Sequence, residues 1–529
     1  MESFFRQSLQ THICLIFISI SCIFLVPARY WMDWDTLMYA INVRVHMAGD
    51  GSFSYMHNLI KNLLLNSFSI CRFVYSDCQF IDTIRWITLT SLIISSFTIF
   101  FTIKELTNNN IYSFSGSLFW LLLPGNITLV HLYEDNVWAA SFTCVFLYSI
   151  VKIHRSSFLN YKNFYLWSLS AATSLALGIN LHQQLGLLFY LFLILIITHY
   201  HIKLSRKITS FILFFLWYLA LSAIQNLMAF GQPYLEESIT RLYHNPYTSS
   251  FPDLWFFSSG KAPLEWATLI YDGWRKTLFF HGRTAPISYY FIILSIPVFM
   301  ITAKYSKTRH PVDSFPSDFA KQQAWFSLCF LIFIPYSLLY EPQNIERWDS
   351  VLPGLTIFIF STLHHLMKTK VQQLSSLPLF SRSIHICLLV IMSMSCIQAY
   401  SFTLKKHEAF NKDSTTVYLS KILSILKDNQ DIDSSILLLS EGFRQWDTDS
   451  QILLNYPSLQ IITLQNRTLK PVHTSYPLQN KNDIPKIPIN NISFPKGTRF
   501  LVTPGVYNDI VKIDRAFITN NTISVLQLH

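Results

Sequence analysis

Long apolar runs, each close to the length of one bilayer crossing, alternate through most of the chain with short polar connections, and this pattern predicts a bundle of membrane-spanning helices. A hydrocarbon core needs roughly 20 apolar residues per helix. By that measure about eleven spans are predicted, near 10–28, 85–103, 112–130, 137–153, 164–181, 183–200, 208–230, 286–303, 323–340, 350–367 and 383–401. The first is longer than a signal-peptide core and has no small-residue cleavage site after it, so it is expected to stay as an anchor. Past residue 402 the runs shorten to strand length at Ile436–Leu439, Leu459–Leu464, Phe500–Thr503 and Ile523–Leu528, with a helix-like stretch at Thr416–Lys427. The tail 402–529 therefore reads as a small α/β domain, after a membrane domain over 1–401.

Two long connections carry patterns of their own. From Asp35, the residues Leu37, Ala40, Ile41, Val45 and Ala48 recur at helical spacing, and after Gly49–Gly51 so do Leu59, Leu63 and Leu64. The loop 29–84 is thus expected to hold two amphipathic helices lying along the membrane surface. The loop 231–285 interleaves Tyr234, Tyr243, Tyr247, Trp255, Trp266, Tyr271 and Trp274 with Arg241, Lys261, Arg275, Lys276 and Arg283, a composition suited to headgroup anchoring or to stacking on sugars.

Composition agrees with a membrane class: 51% of residues are hydrophobic, 16% aromatic and only 13% charged, against about a quarter charged in soluble proteins. The net charge of +10 does not point to a nucleic-acid partner, because the Lys and Arg gather in short loops between apolar runs. There they set topology. Arg6, Lys104, the group Lys152, Arg155 and Lys162, the group Lys203, Arg206 and Lys207, the group Lys304, Lys307 and Arg309, and the group Lys368, Lys370 and Arg382 all fall on one side. The positive-inside rule makes that side cytoplasmic, with the N-terminus, and leaves the tail extracytoplasmic. Every acidic cluster near a span end then faces outward. A bacterial inner or plasma membrane is the expected location.

Four outward-facing stretches carry candidate chemistry. Tyr30–Tyr39 holds Asp33 and Asp35 just past the first span, as a working carboxylate pair or as simple interface markers. Arg44, His46 and His57 follow them and could meet an anionic ligand. His131–Trp138 places Glu134 and Asp135 in a turn too short to be a domain, where they could orient substrate or cap the next helix. Gly178–Gly186 puts His182, Gln183 and Gln184 at a hairpin tip, and Glu341–Gly354 contains Glu346 and Arg347. Arg presents a planar fork that suits phosphate, although a clamp between Arg347 and Glu346 or Asp349 is the alternative.

Cys71 and Cys78 lie in the first outer loop at a spacing compatible with a small disulfide in an oxidising compartment, or with two free thiols. The remaining Cys fall inside predicted spans, and none has metal-site spacing. Sequons at Asn126, Asn466, Asn491 and Asn520 are common matches in such a composition and decide nothing.

Taken together, these motifs resemble the GT-C class of integral-membrane glycosyltransferases: an acidic motif after the first span, surface helices, an acidic turn between spans three and four, a His-bearing hairpin, and a late Glu-Arg-Trp turn with Leu-Pro before a C-terminal α/β domain. In layout the chain is similar to bacterial relatives of protein mannosyltransferases and of the lipid A aminoarabinose transferase. That resemblance implies a multi-pass α-helical membrane protein that moves a sugar from a polyprenyl-phosphate donor to a lipid, glycan or protein acceptor. It implies Asp35 or Asp33 as general base and Glu134 and Asp135 as acceptor- or metal-orienting groups. Arg347 would contact the donor phosphate, with His182 and Arg44 in support. No cofactor is established by the residues; a divalent cation, Mg or Mn, would draw on Asp33, Asp35 and Asp135. The first motif here is D-W-D, where the D-E pair is common in the similar enzymes, which leaves open which acid is the base.

The alternatives are a lipid-linked glycan polymerase or ligase, which uses the same donors but usually lacks a soluble tail domain, and a transporter or flippase. A transporter should carry ionisable residues deep inside paired, interrupted spans. In this chain the acids gather at outer loops.

Overall fold

The computed structural model describes residues 58–75, 80–132, 134–159, 161–198, 202–243, 252–278, 332–344, 347–348, 350–373, 421–424, 435–440, 459–465, 468–471, 487–488, 498–502 and 522–525, with single positions elsewhere. Asp33, Asp35, Arg44, His46, His57, Glu346 and Asp349 lie outside them, as do the spans expected near 286–303 and 383–401. The chain divides into two compact units. One comprises Met1–Pro27, His57–Asn62 and Arg85–Leu404; the other comprises Ala28–Met56, Leu63–Ile84 and Lys405–His529.

Helices dominate the described part of the first unit. In chain order the helices are α1 (Asn58–Val74) and α2 (Phe80–Thr107), whose residues Leu63–Val74 and Phe80–Ile84 belong to the second unit, then α3 (Asn110–Leu121), α4 (Pro124–Leu132), α5 (Asp135–Leu159), α6 (Tyr161–Ile179), α7 (Leu187–Thr198), α8 (Leu204–Phe230), α9 (Leu235–Tyr243), α10 (Pro263–Leu278), α11 (Phe333–Leu339) and α12 (Leu352–Gln373). Among the described residues three helices are long and apolar enough to cross a membrane: α2, the Asp135–Arg155 part of α5, and the Leu204–Met228 part of α8. Gln183–Ile197 and Leu352–His364 are shorter apolar helices.

Hydroxyl groups inside these helices are satisfied locally, as a low-dielectric surrounding demands: Ser95 and Thr102 in α2 donate to the carbonyls of Ser91 and Thr98 one turn back. Small and polar residues also join the helices. Ser149 and Ser170 lie 2.9 Å apart between α5 and α6, Ser168 and Ser210 lie 2.8 Å apart between α6 and α8, and Ser117 of α3 donates to the Ser96 carbonyl of α2. Trp138 Nε1 donates to Thr88 Oγ1 at 2.9 Å, pinning the start of α5 to α2.

The third expected span differs from its sequence reading: it is broken at Leu122–Leu123 into α3 and α4. Pro124 opens α4 and brings no backbone N–H to continue the ladder of α3. Asn126 bridges the break by donating its amide to the Trp120 carbonyl at 3.1 Å.

In the second unit, Cys71 and Cys78 are joined as a disulfide across a Cα–Cα distance of 6.0 Å, and Phe68 packs on Phe80 with ring centroids 5.0 Å apart. The tail carries a sheet of β1 (Ser435–Ser440), β2 (Gln460–Gln465), β3 (Thr468–Pro471), β4 (Ile487–Pro488), β5 (Arg499–Val502) and β6 (Thr522–Val525), in the order β4-β3-β2-β1-β5-β6. Strands β2, β1, β5 and β6 run parallel, while β3 and β4 are added antiparallel on one edge. Ile436–Leu438 and Phe500–Val502 are buried. Unbroken apolar runs of this kind belong to central strands covered on both faces.

Candidate functional site

The acidic turn is formed where α4 stops and α5 starts. Glu134 N donates to the Leu129 carbonyl at 3.0 Å, closing α4, and the Glu134 carbonyl accepts from Val137 N at 3.1 Å, opening α5. Asp135 therefore occupies the first turn of α5, where the helix N-terminus favours a carboxylate. Placement in the first helical turn does not account for its neighbour. Glu134 is 0% exposed, and a fully buried carboxylate needs hydrogen-bond donors around it. Asn136 supplies one, with Nδ2 donating to Glu134 Oε1 at 3.2 Å.

The hairpin tip is buried as well. After α6 ends at Ile179, His182 N donates to the Gly178 carbonyl at 2.7 Å, and Gln183–Gly186 form a single 3-10 turn leading into α7. His182, Gln183 and Gln184 are all buried, so this is not the solvated tip that polar residues usually mark. Two glycines allow the close approach. A Cβ on Gly178 would lie 2.5 Å from the Leu185 side chain and 3.2 Å from Phe142 Cβ, and one on Gly186 would lie 3.1 Å from the Arg241 carbonyl.

Arg241, on α9 of the long loop 231–285, is itself buried, and its guanidinium donates to Asn180 Oδ1. The first turn of α1 reaches the same tip, where Leu59 N donates to the Asn180 carbonyl at 3.2 Å. Lys61, one turn along α1, is buried too, and burial lowers its pKa.

The late turn is held by two cross-links between its ends. Arg347 donates through Nε (3.2 Å) and Nη2 (3.0 Å) to Glu341 Oε2, and its guanidinium lies 5.0 Å from the centre of the Tyr340 ring. Trp348 Nε1 donates to the Pro342 carbonyl at 2.7 Å. Glu341 is thus a partner of Arg347, while Glu346 and Asp349 lie outside the described residues. The loop 231–285 is docked against this turn: Glu341 N donates to the Leu254 carbonyl, Trp266 Nε1 donates to the Leu338 carbonyl, and Trp255 pairs with Tyr340.

One chain of hydrogen bonds joins three of these stretches. Gln184 Nε2 donates to Asn136 Oδ1 at 3.3 Å and also to Ser350 Oγ, so that Glu134, Asn136, Gln184 and Ser350 link the acidic turn, the hairpin tip and the residues just before α12. Segments about 50 and 160 residues apart in sequence thus meet in one buried polar network.

The sequence matches no protein-family model and no curated protein. The fold does have counterparts among solved structures. The oligosaccharyltransferase AglB of the archaeon Archaeoglobus fulgidus, in complex with an inhibitory peptide and a dolichol-phosphate, superposes with a TM-score of 0.51 at 10% identity over 84% of this chain and 63% of that one. The same enzyme in complex with Zn and sulfate gives 0.52 at 11% identity, over 84% and 61%. ArnT from Cupriavidus metallidurans bound to undecaprenyl phosphate gives 0.51 at 9% identity, over 85% of both chains. The fold is thus similar to those of these two membrane proteins. This chain spans less than two thirds of the archaeal enzyme's length and most of ArnT's.

On this fold the structure brings Glu134 together with Gln184 through Asn136, while Arg347 stands three residues before Ser350 on the same turn. Asn136, Ser350, Glu341 and the Arg241–Asn180 pair were not singled out by sequence reasoning. Neutral amides and a lone serine carry no spacing signal, and the pairing of Arg241 with Asn180 spans 61 residues.

Proposed function

We propose that the protein is a membrane glycosyltransferase that moves a sugar from a polyprenyl-phosphate donor to a hydroxyl-bearing lipid, glycan or protein acceptor on the outer face. The observation that carries this reading is the buried network of Glu134, Asn136, Gln184 and Ser350, which gathers three of the sequence-selected motifs into one place on a GT-C fold. That ArnT was captured with undecaprenyl phosphate and AglB with a dolichol-phosphate supports a lipid-phosphate donor.

The reaction asks little of a protein. The acceptor oxygen attacks the anomeric carbon, the bond from that carbon to the phosphate oxygen breaks, and the lipid phosphate leaves with the bonding electrons. A base takes the hydroxyl proton, and fixed donors or cations meet the charge on the leaving group. Asp35 or Asp33 is assigned the base. Glu134 and Asp135 orient the acceptor. Arg347, with His182 and Arg44, faces the donor phosphate, Arg347 exchanging part of its interaction with Glu341 for the ligand. Burial of the network excludes water that would otherwise hydrolyse the donor.

A divalent cation, Mg or Mn, would take hard oxygen ligands from Asp135 together with Asp33 and Asp35. Among the described residues no cluster of three or more His, Cys, Asp or Glu is placed to hold a metal ion; Asp33 and Asp35 lie outside them. The sheet-bearing tail, residues 402–529, is assigned as an extracytoplasmic α/β domain, and the N-terminus is placed in the cytoplasm.

The test is transfer by the purified full chain, supplied with radiolabelled polyprenyl-phosphate sugars and a membrane extract as acceptor. Transfer is expected, abolished in Asp35→Asn or Asp33→Asn and retained in Asp509→Asn. Transfer that survives loss of both Asp33 and Asp35 refutes the assignment of the base.

A further inference from the structure

The buried network has a polarity that follows from hydrogen-bond chemistry. A carboxylate only accepts, so Glu134 decides which end of Asn136 is which: Nδ2 faces Glu134 Oε1, and Oδ1 is left to accept from Gln184 Nε2. With the reverse orientation two acceptors would face each other. Gln184 spends its amide hydrogens on Asn136 and on Ser350 Oγ. Ser350 therefore accepts from Gln184, and its own proton is free to be given elsewhere. Gln184 Oε1, on the same carbon as the nitrogen that touches Ser350, has no partner among the described residues. Gln184 is 3% exposed and Ser350 5% exposed, so neither group is served by bulk solvent.

A hydroxyl proton that the network does not use, next to an amide oxygen with no partner among the described residues, defines the group that can pair with both. A hydroxyl group accepts from Ser350 and donates to Gln184, meeting both. An ionised phosphate oxygen accepts but has no proton to give, and an apolar group meets neither. We propose that Gln184 and Ser350 form a subsite for one substrate hydroxyl, with its polarity set by Glu134 through Asn136. The proposal rests on the transferase reading above. The hydroxyl belongs either to the sugar of the donor or to the acceptor, and kinetics separate the two. Sites built from buried polar groups discriminate steeply against analogues lacking the matching hydroxyl.

The full chain in lipid nanodiscs is compared with Ser350→Ala, Ser350→Thr and Gln184→Met. KM and kcat are measured for sugar donor and acceptor separately, beside melting temperature and binding of undecaprenyl phosphate. Ser350→Ala and Gln184→Met are expected to raise KM by roughly tenfold or more for one substrate only, and the substrate affected names the source of the hydroxyl. Undecaprenyl phosphate binding and melting should stay near wild type, and Ser350→Thr, which keeps the hydroxyl, should restore KM. A deoxy analogue of that substrate should lose its disadvantage in Ser350→Ala. Unchanged KM for both substrates in folded Ser350→Ala overturns the proposal and leaves a buried water as the occupant. Should Gln184→Met fail to fold, the smaller Ser350→Ala change decides alone. A wild-type protein that binds no undecaprenyl phosphate and transfers nothing removes the transferase reading, and the subsite with it.

Discussion

Arg347 and Glu341 show how one side chain can serve both structure and ligand. Their side chains are only 13% and 20% exposed, so the pair is shielded enough for its loss to be felt. Glu341→Gln removes the negative partner, and a stability loss of about 1–3 kcal/mol is expected as a lowered melting temperature. The same substitution leaves Arg347 with less competition. If Arg347 meets the donor phosphate, undecaprenyl phosphate should bind more tightly to Glu341→Gln and more weakly to Arg347→Ala. Equal binding to both variants would confine Arg347 to holding the turn. Sequence reasoning selected Arg347 for its chemistry and offered an intramolecular clamp as the alternative. Among the described residues Glu341 holds Arg347, a partner six residues back that sequence reasoning did not name; Glu346 and Asp349 lie outside the described residues. The cysteines are the converse case, since their compartment and spacing already suggested the bond. Replacing both Cys71 and Cys78 by Ser is expected to cost about 2–3 kcal/mol by the loop-entropy account, read from denaturation of the purified protein with and without reductant.

Among the elements, α10 owes its place to one glycine. A Cβ at Gly273 would sit 1.6 Å from the Pro342 carbonyl oxygen and 2.7 Å from Trp348 Nε1, and a backbone atom cannot step aside as a flexible side chain can. Gly273→Ala raises intrinsic helix propensity, yet the clash outweighs it. A net loss of about 1–3 kcal/mol is expected, with the Trp348–Pro342 bond strained or broken and Trp fluorescence altered. Such a dependence is invisible in sequence, where Gly273 is one more glycine in an amphipathic stretch. The same holds for the third span. Its apolar run is continuous enough to read as one helix, and the break at Leu122–Leu123 follows from Pro124 once Asn126 is present to satisfy the Trp120 carbonyl. By contrast α2, α5 and α8 were legible from length and composition, because nothing but a helix satisfies the backbone of so long an apolar run in lipid.

For the whole molecule the decisive quantity is sidedness. Cysteines introduced singly at Lys203 and Asp253, in a background keeping only Cys71 and Cys78, should react differently with an impermeant maleimide added to intact cells. Asp253→Cys is expected to label from outside and Lys203→Cys only after permeabilisation; the opposite result would put the acidic turn on the face where lipid-linked donors are not expected. The tail tells a similar story of partial legibility. Runs at Ile436–Leu439, Leu459–Leu464, Phe500–Thr503 and Ile523–Leu528 correspond to β1, β2, β5 and β6, the parallel strands, while β3 and β4 were missed. β1 and β5 carry unbroken apolar runs, and β2 and β6 remain apolar enough to read as strands despite Thr463 and Ser524. Thr468–Pro471 and Ile487–Pro488 are short edge additions, rich in polar residues and proline, whose pairing depends on neighbours and not on their own pattern.

Hydrophobic run length and composition were enough to specify a mostly helical protein with helices of membrane-crossing length, and the acids at predicted span ends drew attention to Glu134 and the His182 hairpin. Those features act through local solvation, and each residue carries its own share of the signal. What only the tertiary structure decided was which groups meet. The bonds from Gln184 to Asn136 and Ser350 join segments far apart along the chain. No single residue encodes them; they exist because close helix packing leaves buried amides and hydroxyls no other partners.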